Sequence, residues 1–379
     1  MVEQKPLYRL LERLVDIPSE SGDETALGDF LFEWMKENAL SPERQKTRDG
    51  RFNVLGRLTG SLRSESPKCL LLAGHMDTVS AGKDWERDPF CLEMADEGFA
   101  SGLGVADMKG GIACILWIAK KLMDDACPFA GTVELAFFVD EERYSIGAHD
   151  YVLSPGKHCP DFAILAEPHF HEIIVGAPGK VLLELVCEGK TGHASRPSEG
   201  INAIEIASEM MHFLNRDMAA AGDGDRGSYS ALNIITNIDN YSLSIPDYCK
   251  VILNKQLVPG EKLEDFLKNI EEVFEQKVGR GSLSIKRGLP EYPGHKVEEN
   301  NPFLKSLVRE IADFGLPAPT LRNNDGVSDA NILQSFLGIP TVLFGPKGSR
   351  YHTRDERIDL GSMDMYIDIL DSYIRNVLK

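Results

Sequence analysis

This sequence predicts a two-domain α/β protein: a mostly parallel sheet flanked by helices, interrupted by an inserted ferredoxin-like (βαββαβ) domain. Three observations predict it. Leu70-Leu71-Leu72-Ala73, the apolar run 133–139, Phe162-Ala163-Ile164-Leu165-Ala166 and Thr341-Val342-Leu343-Phe344 are short and bounded by turn residues. Such runs read as strands buried on both faces, as parallel strands are. From about residue 179 to 287 the pattern changes to strand, helix, strand, strand, helix, strand, an order that closes on itself as a unit. Finally, 379 residues exceed the usual size of one hydrophobic core.

The elements follow in order. Leu7, Leu10, Leu11, Leu14 and Val15 keep helical spacing, and so do Leu27, Phe30, Leu31 and Trp34. Between these helices, Pro18-Ser19-Glu20-Ser21-Gly22-Asp23-Glu24 breaks the first and offers Ser21 and Glu24 as a capping box for the second. Strands are expected at 53–58 and 69–73. Gly110-Gly111 leads into a helix over 112–122 that is apolar nearly all round and therefore buried. In the inserted domain, strands are expected at 180–189, 230–238, 250–258 and 283–287, with helices at 202–214 and 262–278. Turn residues mark its edges, Gly176-Ala177-Pro178-Gly179 on entry and Gly288 to Gly294 on exit. The expected boundaries are 1–177 and 296–379 for the first domain and 178–295 for the insertion. After it come a helix opened by Asn301-Pro302, the strand at 340–344 and a closing helix from Met363.

Composition narrows the function. A formal charge of −18 with no basic patch argues against nucleic acid or an anionic membrane as partner. No run of about 18 apolar residues suggests a span. The opening Met-Val-Glu-Gln-Lys-Pro-Leu lacks the basic-then-apolar pattern of a secretion signal. Seven cysteines form no CxxC or metal spacing, and most sit inside apolar stretches. A reducing cytoplasm is the expected compartment.

The chemistry lies just behind the strands. Gly74-His75-Met76-Asp77, Asp140-Glu141-Glu142, Glu167 and Tyr351-His352 each follow an apolar run, and Asp107 stands in Ala106-Asp107-Met108-Lys109-Gly110-Gly111. Open α/β sheets bind ligands beyond the carboxyl ends of their strands. His75, Asp107, Glu142, Glu167 and His352 should therefore converge, with Glu141 beside them. Two imidazoles and three carboxylates without a thiolate suit a hydrolytic metal centre. Burying that many carboxylates without a cation would be very costly.

With these motifs, and with Gly192-His193-Ala194-Ser195, the chain resembles the M20 family of metallopeptidases and deacylases. The family includes acetylornithine deacetylase, succinyl-diaminopimelate desuccinylase, aminoacylase and glutamate carboxypeptidase. The resemblance covers nearly the whole chain and implies a zinc-peptidase-like domain with a lid. It implies two divalent metal ions, zinc first, with cobalt and manganese as alternatives, bridged by Asp107. His75 and Glu167 would hold one and Glu142 and His352 the other. Glu141 matches the general base, and Asp77 the carboxylate that fixes the tautomer of His75. His193 matches a lid histidine that polarises the scissile carbonyl, supplied in dimeric relatives to the partner subunit. Asn233 and Asn324 match substrate contacts, the latter in the loop Asn323 to Ala330, where Ser328 or Asp329 also suits a helix cap. His169 and His171 read as loop residues, and Trp85 as packing over the metal-bearing loop.

Two departures bear on substrate. Leu103-Gly104-Val105-Ala106 stands where the family often has an arginine ahead of the bridging aspartate. Asn254-Lys255-Gln256 stands where many members carry an arginine that grips a substrate carboxylate. Lys255 offers a point charge instead of a fork, so the grip should be looser. The expected function is metal-dependent hydrolysis of an amide bond in a small peptide or N-acyl amino acid. A deacylase is favoured, a dipeptidase or carboxypeptidase is the alternative, and a catalytically inactive binding protein of the same fold the distant one. A homodimer through the lid is expected.

Overall fold

The computed structural model describes residues 5–94, 98–154, 160–221, 227–238, 242–258 and 261–379. The chain forms two compact units: one comprises the chain up to Ala177 together with His295–Lys379, the other Pro178–Gly294.

The first unit is built on a nine-stranded sheet. At its centre Cys69–His75 runs parallel to Thr132–Phe138 on one side and Phe162–Leu165 on the other, and Thr341–Leu343 continues the parallel set. Antiparallel strands sit towards the edges, Phe52–Thr59 and Glu43–Lys46 at one and His295–Lys296 at the other. Every residue of Thr132–Phe138 is buried. The sheet is therefore covered on both faces, which is why its strands carry runs of apolar residues without alternation.

The helices that cover it are equally legible. Gly110–Asp124 is buried almost throughout. Pro6–Val15 buries Leu7, Leu10, Leu11, Leu14 and Val15, the stripe its spacing predicts. Pro302–Asp313 begins at Asn301, whose side chain accepts from the amides of Phe303 and Leu304. Asp329–Leu337 begins at Ser328 in a capping box with Asn331 and ends at Gly338 in the left-handed conformation. Gly111 allows the close approach of Gly110–Asp124 to the segment before Glu167. A Cβ there would lie 2.2 Å from the carbonyl oxygen of Ala166.

One reading needs correction. Thr25–Glu37 has no side-chain cap. Ser21 donates instead to Asp77 Oδ2 at 2.8 Å, and Glu24 pairs with Arg51 at 2.5 Å. Long-range partners outcompete the local box because both side chains are buried against charged groups of the site.

The second unit is a four-stranded antiparallel sheet in the order Tyr229–Thr236, Tyr248–Leu257, Gly179–Glu188, Ser282–Tyr292. Helices Ala203–Ala221 and Leu263–Val273 complete the βαββαβ order. Helix Ala203–Ala221 and strand Ser282–Tyr292 run on well past the expected ends at 214 and 287, and the regular part of the other helix stops at Val273, short of 278. Its core is separate, with Leu183, Leu185, Ile206, Leu253 and Ile270 among its buried members.

Candidate metal centre

Three parallel strands deliver the first side chains at their carboxyl ends. Cys69–His75 ends on His75, Thr132–Phe138 runs on into Glu141 and Glu142, and Phe162–Leu165 leads to Glu167. Asp107 comes from the irregular turn Val105–Lys109, where its φ/ψ of −116°/90° leave the helical region and the peptide to Met108 is cis. His352 sits in the loop beyond Thr341–Leu343 with φ at 59°, a conformation uncommon for non-glycine residues and concentrated at functional sites.

Around Asp107 the donors divide into two groups. Oδ1 lies 3.1 Å from His75 Nε2, which is 3.7 Å from Glu167 Oε1. Oδ2 lies 3.3 Å from His352 Nε2, which is 2.9 Å from Glu142 Oε1. His75, Asp107 and Glu142 alone bring three donor atoms within 4.8 Å of one another. All five residues singled out from the sequence meet here.

Asp77 serves this cluster differently from the simple expectation. The Nδ1 of His75 lies 2.9 Å from the carbonyl oxygen of Asp77 and 3.5 Å from its carboxylate. A carbonyl only accepts, so in the neutral ring Nδ1 carries the hydrogen and Nε2 presents its lone pair to the cluster. The carboxylate itself accepts the backbone N–H of Glu141 at Oδ1 and of Glu142 at Oδ2, both at 3.0 Å. One fully buried side chain thus holds the turn that aims both glutamates. Arg51 braces the same turn through Asp140 at 2.8 Å, where Asp140 has φ at 70°.

The charges explain one another. Burial raises Glu141 well above the usual carboxylate range, and Asp329, Glu167 and Glu142 add to this against the pull of His75. Burial and the charge of Asp107 push Glu167 up to about 8. Hydrogen bonds to Asp107 and Glu142 raise His352 to about 10. Burial opposes charge on His75, but Asp107 and Asp77 prevail and raise it well above 6.5. Burial opposes charge on Asp107 too, and the two imidazoles hold it below the ordinary range. Without a cation, the two imidazoles are the groups that offset the charge of these carboxylates. Divalent cations would offset it better: the donor set is neutral imidazole and carboxylate, and binding would release the imidazole protons. The residues fit a pair of metals.

Residues absent from the sequence-based set also serve the site. Glu356 is buried and accepts N–H groups from Gly104 and Ala106 at 2.9 Å and from Asp107 at 3.0 Å. Burial pushes it up to about 7 against those three bonds. A cavity of about 240 Å³ lies over the cluster, lined in part by Glu141, His169, Asn324 and Tyr351. His169 is more than a loop residue, since Nδ1 meets Glu172 Oε1 at 3.1 Å and Glu172 is paired with Arg322. Asn324 reaches the cavity because its amide is anchored to the carbonyl of Gly176 at 2.7 Å. A second cavity of about 740 Å³ also reaches His352 and is lined by Trp85, Leu103 and Arg350.

In the other unit, His193 is exposed, with Ser195 Oγ 2.8 Å from its Nδ1. Asn233 is exposed at a bulge in the outer strand Tyr229–Thr236. Lys255 is not placed as a substrate contact. It is fully buried, pairs with Glu261 at 2.7 Å, donates to the carbonyl of Gly227 and lies over the ring of Phe266. Strand alternation turns it into the core of its own unit, where burial is tolerable only because the charge is paired.

The sequence from residue 71 to 376 matches the model of peptidase family M20/M25/M40, a span that contains all five clustered donors. The chain belongs to peptidase family M20/M25/M40. It is a hydrolase of C–N amide bonds. It is 30% identical over 366 residues to an acetylornithine deacetylase of Vibrio campbellii, covering 93% of this chain and 92% of that one. A tripeptidase from Staphylococcus aureus shares the fold, with TM-score 0.78, 24% identity and 98% of each chain covered. So does a dinuclear metal-binding M20 peptidase of Bacillus subtilis, with TM-score 0.73, 17% identity and coverage of 98% and 97%. Among the described residues no helix is long and apolar enough to cross a membrane.

Proposed function

We propose that this member of the family is a di-metal deacylase of N-acyl amino acids, with His75, Glu167 and Asp107 at one metal and Glu142, His352 and Asp107 at the other. The observation that carries the reading is Asp107, whose two carboxylate oxygens face two separate histidine–carboxylate pairs. The acetylornithine deacetylase relative and the dinuclear metal-binding neighbour support it. Divalent cations held by these residues, zinc first, would supply the charge that lowers the pKa of a bound water towards ~7.

The protein groups then have distinct tasks. Glu141 takes the proton of the attacking water and returns it to the leaving nitrogen. It lines the cavity over the cluster, beside Glu142 and Glu167. Asp77 keeps Glu141 and Glu142 aimed differently by fixing the amides of both. Asn324, at the cavity, binds substrate. His193 and Asn233 on the lid unit serve the carbonyl oxygen and the substrate respectively. The exposed Leu232 and Ile234 on the edge strand of the lid sheet support a homodimer through that strand. We place the protein in the cytoplasm. Cys69, Cys91, Cys114, Cys127, Cys187 and Cys249 are free, while Cys159 lies outside the described residues.

The test is metal analysis followed by hydrolysis of a panel of N-acetyl and N-succinyl amino acids, dipeptides and tripeptides. Chelation should abolish activity and Zn²⁺ or Co²⁺ should restore it, with acyl amino acids cleaved best. Full activity in rigorously metal-free protein would sink the metal assignment. Preference for peptides with a free amine would replace the deacylase reading with a peptidase one.

A further inference from the structure

We propose that Glu356 is a positioning residue that sets the spacing of the metal pair by locking the Asp107 turn to the His352 loop. The inference rests on the di-metal reading and goes beyond it, since Glu356 touches neither proposed metal.

Three backbone N–H groups converge on this one side chain. Oε2 accepts from Gly104, and Oε1 accepts from both Ala106 and Asp107. Successive amides turned to one point form a concavity that binds an anion, and here the anion is built into the protein. The turn needs such a partner because its backbone is irregular. Gly104 has φ at 72°, and Asp107 and Met108 leave the helical region. A turn of this shape gives the amides of Gly104, Ala106 and Asp107 no regular helix to pair within, and the Glu356 carboxylate accepts all three.

The other end of the link is equally short. Glu356 follows His352 by four residues, and its amide donates to the carbonyl of Thr353 at 3.1 Å, closing a tight turn. Immediately after it, Arg357–Asp359 pairs with Phe99–Ser101, the strand that leads into the Gly104 turn. Asp107 Oδ2 and His352 Nε2, 3.3 Å apart, are thus carried on segments joined through one buried carboxylate. Asp107 is the shared ligand, so displacing it disturbs both metals at once. A ligand held only by its own loop would disturb one.

Two variants test this, Glu356→Gln and Glu356→Asp, at pH 8. The amide must turn its NH₂ against at least one N–H donor, whereas the shorter acid keeps the charge but withdraws from the turn. Chelator-stripped protein is unfolded in urea, and zinc binding is measured separately by calorimetry. Loss of a group that orients metal ligands typically weakens metal binding about 10–100-fold. Glu356→Gln should show at least a tenfold weaker affinity at both metals, with kcat lowered at saturating zinc and KM little changed. Glu356→Asp should fall between it and the parent, and it carries the test if the amide variant does not fold. A purely structural role would lower the urea midpoint of stripped protein and leave zinc affinity at the parental value, which would overturn the inference. Parent protein that binds no zinc pair would overturn the di-metal reading and this inference with it.

Discussion

Replacing Asp77 with asparagine removes one charge and one acceptor from the centre of the site's scaffolding. The carboxylate accepts three hydrogen bonds, from the amides of Glu141 and Glu142 and from Ser21 Oγ, and lies 3.5 Å from His75 Nδ1. If the amide oxygen takes the Oδ2 position it keeps Glu142 and Ser21, and the NH₂ then faces the N–H of Glu141. The reverse flip keeps Glu141 and strands two donors. The first arrangement is the better one and leaves one buried donor unsatisfied, which costs about 1–3 kcal/mol. Metal affinity should fall about 10–100-fold through the loosened Glu142 and His75. Turnover at saturating zinc should also fall, because Glu141 loses the bond that aims it. Urea unfolding of stripped protein, zinc calorimetry and steady-state rates separate the three effects. An Asp77→Asn variant with parental urea midpoint and zinc affinity would refute the argument, since nothing else on this turn replaces those bonds.

Glu141→Gln should retain both metals and lose about 10²–10⁴-fold in rate, whereas Glu142→Gln should lose metal; the opposite pattern in metal analysis would reverse the two roles. Lys109 is buried and its pKa is depressed by burial to about 7, so between pH 7 and 10.5 the unfolded chain binds the extra proton and stability rises with pH. That gain is about 1.4 kcal/mol per pH unit and should vanish in Lys109→Met; parallel urea-midpoint profiles from pH 7 to 9 would contradict it. Lys255→Met should destabilise the protein by about 3–5 kcal/mol by leaving the Glu261 carboxylate without its cation, yet leave the kcat/KM ratio for an acyl amino acid and its C-terminal amide unchanged. A tenfold change in that ratio would mean the lysine does reach substrate. His193→Ala should lower kcat about 10²–10³-fold with metal content intact, and mixing it with Glu141→Gln should recover activity through heterodimers; no recovery after confirmed subunit exchange rules out action on the partner.

The strands and the convergence of His75, Asp107, Glu142, Glu167 and His352 were legible because each rests on a pattern that survives without tertiary knowledge. A short apolar run bounded by turn residues reads as a buried strand, and a histidine or acid at its end then lies at the ligand-binding edge of the sheet. Ser21 and Glu24 were misread for a definite reason. Serine and glutamate at that spacing suit a capping box, and only the fold reveals that Asp77 and Arg51 lie closer. Lys255 failed similarly, since alternation says that neighbours face opposite ways and not which way is in. Glu356 had no signal at all. It sits in Arg354-Asp355-Glu356-Arg357, a stretch that looks like solvated surface, and only three amides from residues some 250 positions earlier give it a task.

The order in which the metal donors leave the ribosome follows from the insertion. His75, Asp107, Glu142 and Glu167 precede the Pro178–Gly294 unit, and His352 follows it. The strand Thr341–Leu343, which lies between Phe162–Leu165 and Glu172–Ala177 in the finished sheet, is also late. A nascent chain that has just completed the inserted unit therefore carries a five-stranded piece of sheet with an open edge at Phe162–Leu165 and a lone strand, Glu172–Ala177, the kind of surface that pairs with other chains. The stretch from Gly294 to His352 takes on the order of 3–12 s to synthesise at bacterial and eukaryotic rates. For that interval His75, Asp107, Glu142 and Glu167 have been made and His352 has not, so the full donor set exists only once the last strand of the nine-stranded sheet has been synthesised.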